Sequence, residues 1–160
     1  MGLFKSSKPK HEPSDRHVSD ALDGRRDGYY ETEVVGEGKH RDHLVAVLKR
    51  HKRAAGWKDG RVAVPAYIIP LGLDGYGRYA VEIDGQRVGY VEDSWVKMWG
   101  STYERPASVI GREVAYSCAA AICWSVSRGD PLRDPAIPLG VRLDLSDDPV
   151  EVGQGARRRR

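Results

Sequence analysis

Tyr76 stands in a glycine-rich segment, Leu71-Gly72-Leu73-Asp74-Gly75-Tyr76-Gly77, closed by Arg78. An aromatic ring carried on such turns can stack a nucleobase, a contact worth about 1–3 kcal/mol per base; it can equally pack its own loop. Two basic groups accompany it, Lys39-His40-Arg41 and, further on, Lys49-Arg50-His51-Lys52-Arg53. Clustered cations neutralise phosphates and release counterions, although a basic helix end also complements the helix dipole. Other chemistries fit these residues less well. His40 and His43 flank Asp42, but no third ligand stands near, and catalytic zinc generally needs three. Gly72, Gly75 and Gly77 precede neither a P-loop lysine nor a helix start. No nucleophile elbow or acid–base pair stands out, so the expectation is a non-enzyme with no cofactor and no metal.

Six segments and two helices would have to position these residues. Tyr29 to Gly36 alternates apolar and charged residues, which predicts a strand. In Arg41 to Ala55, Leu44, Val47 and Leu48 form the i, i+3, i+4 stripe of a helix, with Gly56 as its stop. Arg61 to Pro70 is rich in Val and Ile, and Pro65 inside it predicts an edge position or a bulge. Tyr79 to Ile83, Asp84-Gly85 and Gln86 to Val91 read as a hairpin with a tight turn. Glu92 to Gly100 predicts a short helix with Trp95, Met98 and Trp99 on its apolar face, and Thr102 to Gly111 a connection. Val114 to Val126 predicts a long buried strand or a strand with a bulge, Arg128 to Pro138 a loop, and Leu139 to Leu145 a last strand with Val141, Leu143 and Leu145 inward. The order β-α-β-β-β-α-β-β is that of a mainly β protein with two short helices, an OB-like small antiparallel β-barrel.

Composition bounds the rest. The 160 residues suit one domain with tails, here a disordered leader over 1–28, a domain over 29–145 and a polar tail over 146–160. No apolar run is long enough to span a membrane, and the first residues lack the apolar core of a secretory signal. Of the 26 basic residues four are Arg157–Arg160; without them 22 bases face 23 acids. Attraction to phosphate must therefore come from a local patch or from that tail. Cys118 and Cys123 would lie about 16 Å apart on opposite faces of an extended strand, which points to reduced cysteines in an intracellular, cytoplasmic protein.

Val34-Val35-Gly36-Glu37, Asp74-Gly75-Tyr76-Gly77-Arg78-Tyr79-Ala80-Val81-Glu82-Ile83 and Gly85-Gln86-Arg87-Val88-Gly89-Tyr90-Val91 resemble, in order and spacing, the three sequence blocks of the HIRAN domain. The resemblance is best over 29–93; Gly140-Val141-Arg142-Leu143-Asp144-Leu145 is similar to the ending of stand-alone actinobacterial versions. It implies an OB-like barrel that binds single-stranded DNA and captures its 3′ end. Tyr76 matches the base-stacking tyrosine of the second block. Gly77 stands where the family has the aspartate that engages the terminal sugar, and Asp74 where it has asparagine. Lys39 and His40 fall after the opening block, where the family places aromatics.

The expectation is thus a monomeric, non-catalytic nucleic-acid-binding module whose site comprises Tyr76, Lys39, His40, Arg41, Asp74, Arg78, Lys49, Arg50, Lys52 and Arg53. The alternative is a protein-interaction or structural accessory module that kept the barrel and lost 3′-end recognition.

Overall fold

Inward-facing apolar residues on six strands close this chain into a barrel. A computed structural model describes residues 22–23, 30–71, 79–110, 115–145 and 150–151. Its strands are β1 (Leu22–Asp23), β2 (Thr32–Val35), β3 (Arg61–Pro70), β4 (Tyr79–Ile83), β5 (Gln86–Val91), β6 (Tyr116–Cys123), β7 (Gly140–Asp144) and β8 (Val150–Glu151). Six of them follow the order β3-β4-β5-β2-β7-β6, and β6 pairs back onto β3 to close the ring. Every pairing around that ring is antiparallel. The result is the small OB-like barrel that the pattern of strands and helices implies.

Register decides what the barrel encloses. Val62, Val64, Ala66 and Ile68 of β3 lie opposite Ile122, Ala120, Cys118 and Tyr116 of β6, and all eight are buried. Tyr79, Val81 and Ile83, Val88 and Val91, and Val141 and Leu143 fill the remaining wall. Alanines at 66 and 120 face larger residues, as a narrow barrel interior requires.

Each open end is stoppered by a helix. At one end α1 (Arg41–Arg50) inserts Leu44, Val47 and Leu48, all fully buried; each such side chain contributes about 1.5–3 kcal/mol. Its His43 Nε2 lies 2.7 Å from the Ile83 carbonyl, at the far end of β4. At the other end is α2 (Asp93–Ile110). Here the Tyr79 hydroxyl donates to the Gly100 carbonyl (2.9 Å) and that of Tyr116 to the Tyr103 carbonyl. Trp95, Tyr103 and Tyr116 continue as an aromatic series, the first pair edge-to-face and the second tilted, with ring centroids 4.8 and 4.6 Å apart. The two stoppers sit at opposite ends of β4, about 13 Å apart.

Several expectations change in detail. Helix α1 stops at Arg50, short of Ala55, because no apolar residue follows Leu48 in the run Lys49–Arg53; the His51 N–H caps it by bonding to the Leu48 carbonyl. Helix α2 does not stop before Gly100. A glycine costs a helix only about 1 kcal/mol, and Tyr103, one turn beyond Trp99, extends the buried face. Within the expected leader, Leu22–Asp23 pairs in parallel with Tyr116–Ser117, and Val150–Glu151 of the expected tail pairs with Leu22–Asp23. The rest of 1–28 and 146–160 lies outside the described residues.

Pro65 accounts for an asymmetry in β3. Strand β4 pairs only with Tyr67–Pro70, whereas β6 runs along the strand from Arg61 to Ile68. From Arg61 to Ala66 one edge of β3 has no strand partner among the described residues. Proline lacks an N–H, so it sits where a ladder bond is not made.

Candidate functional site

Tyr76, Asp74 and Arg78 lie outside the described residues, in the connection from β3 to β4. The seven basic candidates can be placed, and they do not form one patch. Helix α1 rises about 15 Å over its ten residues, so Lys39-His40-Arg41 and Lys49–Arg53 stand at opposite ends of it. Lys39 is exposed and His40 half-buried on the 3₁₀ turn Glu37–His40.

Arg41 corrects the phosphate reading most clearly. Its Nη2 donates to the carbonyls of Pro131 (3.2 Å), Asp134 (3.2 Å) and Ile137 (3.1 Å), so the guanidinium ties the β6–β7 connection to the barrel. Its Nε is buried with no hydrogen-bond partner. Asp130 and Asp134 fold the same loop on itself, accepting from the Leu132 and Ala136 N–H groups. Arg50 is also engaged, in an exposed ion pair with Asp84 of the β4–β5 turn. Lys49, Lys52 and Arg53 are exposed, and no ion pair involving them is found among the described residues. His43 is half-buried with Nε2 against the Ile83 carbonyl, and no group of three ligating residues occurs among the described residues.

An aromatic face that the sequence reading missed lies on the outside of β3, β4 and β5. Past Pro65 the outward positions of β3 become apolar: Tyr67, Ile69 and then Leu71. Ile69, Ala80 and Ala115 form a small second cluster, with half-buried Tyr67, Leu71 and Tyr90 packed on it. A β-bulge opposite Val81–Glu82 turns Arg87 and Tyr90, an odd number of residues apart, to one face. Arg87 then lies over the Tyr90 ring, 5.4 Å from its centroid, and donates to its hydroxyl (3.2 Å). Strand spacing and the registers put Tyr67 and Tyr90 about 12 Å apart. They cannot sandwich one base; each can take its own. The loss of alternation after Pro65 was the available signal.

The foot of this face opens into a groove of about 250 Å³ between α1, the unpaired half of β3 and the Asp84-Gly85 turn, with Tyr67 as one wall. A second groove, about 260 Å³, lies between β2 and β7 over Trp124. Glu33 and Glu37 line it, and the first of these pairs with Arg142 at 3.5 Å. Its carboxylates disfavour phosphate, whereas Lys49, Lys52 and Arg53 border the end of α1 that supplies His51 to the first groove.

Electrostatic perturbations fall elsewhere. Burial pushes the Cys123 thiol up against the lowering influence of Arg142 and Arg61, so it is not an activated nucleophile. Burial also raises the hydroxyl of Tyr30, whose ring lies under the Arg61 guanidinium at 5.2 Å. Cys118 points inward and Cys123 outward, and neither is in a disulfide. Among the described residues no helix is long and apolar enough to cross a membrane. No family model, curated protein or solved structure matches the chain.

Proposed function

We propose that this barrel is a non-catalytic module that binds single-stranded nucleic acid, DNA foremost, along the outer face of β3–β4–β5. The observation that carries the reading is the pair of part-exposed tyrosines, Tyr67 and Tyr90, on a closed antiparallel barrel whose adjacent helix end presents Lys49, Lys52 and Arg53. Base–aromatic stacking on a barrel face flanked by cations is how sequence-tolerant single-strand binders work. The face is about 13 Å long along β4, enough for Tyr67 and Tyr90 each to hold a base of the same strand. The order of elements also agrees with the HIRAN resemblance, and we count the chain as a diverged, monomeric HIRAN-like domain. Gly77 in the aspartate position argues against 3′-end capture. Two cysteines outside any disulfide suit a reducing cytoplasm.

Fluorescence anisotropy with a labelled oligothymidylate tests the reading, on the whole chain with Arg157–Arg160 replaced by alanine so that the tail contributes nothing. Binding should be micromolar or weaker, with a log–log salt slope of about −2 if three cations meet phosphates. Tyr67→Ala should weaken it about 5- to 150-fold. No binding at low salt, or indifference to Tyr67→Ala, would sink the proposal.

A further inference from the structure

We propose that the groove where α1 meets the unpaired half of β3 receives one nucleobase turned out of the bound strand, a specificity pocket that rests on the function proposed above. At about 250 Å³ it falls below the roughly 300–1,000 Å³ of sites for drug-sized ligands, so it suits a single ring-sized group. Its walls come from Val47, Val64, Pro65, Tyr67 and Ile83, an apolar slot with an aromatic side. Among the described residues the polar groups on its lining side chains are the imidazole of His51, the carboxylate of Asp84 and the hydroxyl of Tyr67.

That lining separates a base from a phosphate. A phosphate in the slot would face the Asp84 carboxylate and apolar surface, an arrangement that charge opposes. A base would stack on Tyr67 and present its edge to acceptors, while the flanking phosphates remain outside with Lys49, Lys52 and Arg53. Asp84 only accepts when ionised. It therefore favours bases with an exocyclic amino group, which cytosine and adenine have and thymine lacks. The slot exists because three features hold it open. Pro65 makes no ladder bond, β4 leaves β3 at Tyr67, and the Asp84-Gly85 turn is fixed by φ values of 56° and 76° and by the ion pair to Arg50.

The test compares oligodeoxycytidylate with oligothymidylate on the whole chain carrying alanine at Arg157–Arg160. Three proteins are measured, this one, Asp84→Asn and His51→Trp in the same background. Asparagine tolerates the left-handed backbone at 84, and the readout is the ratio of affinities, which cancels any general gain from losing a negative charge. Cytidylate should bind on the order of fivefold tighter than thymidylate. Asp84→Asn should abolish that ratio, and His51→Trp, which fills the slot, should reduce cytidylate to the thymidylate level without changing the salt slope. Equal binding of both strands, with both variants unchanged, overturns the pocket and leaves the single-strand reading standing. No binding of either strand overturns the reading and the pocket together.

Discussion

Replacing Arg41 by alanine removes the one side chain that ties three carbonyls of the β6–β7 connection to the barrel. Nη2 has two hydrogens for three acceptors, so the contact counts as about two charge-assisted bonds. The Pro131 and Ile137 contacts are part-buried and the Asp134 contact is exposed. At about 1.5–3 kcal/mol for a bond to a charged group, discounted for solvent access, the loss comes to about 2–4 kcal/mol. That is a sizeable part of the roughly 5–15 kcal/mol that holds a domain folded. In a urea titration followed by tryptophan fluorescence, the midpoint should fall by about 1–2 M at unchanged slope, for a slope near 2 kcal/mol/M. Arg41→Lys should recover part of it, since an ammonium keeps the charge but not the planar fork. Neither variant should change the salt slope of nucleic-acid binding. A midpoint within about 0.3 M of the parent, with a slope shallower by about 0.7, would refute the reasoning and restore Arg41 as a phosphate contact.

Gly89 has φ of 154°, and a Cβ there would stand 2.5 Å from the Val35 carbonyl oxygen and 2.7 Å from Val34 Cγ1. Gly89→Ala should therefore force β2 off β5, at about 2–4 kcal/mol and a fall in Tm on the order of 10 °C. Gly140→Ala, with nothing within 4 Å, should stay near the parent in the same thermal scan. Tyr116 is buried and its hydroxyl is pushed above the ordinary tyrosine range by desolvation, then by Tyr79. Its folded-state pKa is raised, so the stability it contributes is complete below about pH 10 and is lost as pH rises beyond that. Unfolding midpoints should drop steeply above pH 10, and Tyr116→Phe should flatten that drop; an unaltered alkaline profile in the variant would contradict the assignment.

Which parts of this fold are legible beforehand follows from what each signal depends on. Strand β6 and the Asp84-Gly85 hairpin are written in local alternation and turn chemistry, and they form where that pattern places them. Leu44, Val47 and Leu48 give α1 its buried stripe, but the end of the helix depends on what there is left to bury, and the charged run after Leu48 offers nothing. The length of α2 rests on Tyr103 meeting Trp95 and Tyr116, partners that only the closed barrel supplies. The role of Arg41 was unreadable for the same reason, since its acceptors lie about 90 residues away. The two basic groups and the helix between them were readable, but the distance of about 15 Å that its ten residues put between the groups keeps them from making one patch. The phase change at Tyr67 was visible, yet its meaning needed the neighbours Ala80 and Tyr90 on the adjoining strands.

A ring of strands closed along only part of its height keeps a short length of exposed seam, here Arg61–Ala66 of β3. Such a seam is where a second chain could add a strand and begin edge-to-edge association. Pro65 offers an incoming strand no donor, and the cationic end of α1 stands beside it, so two copies meeting at this edge would bring like charges together. The residues that leave the barrel unfinished thereby also discourage its completion by a neighbour.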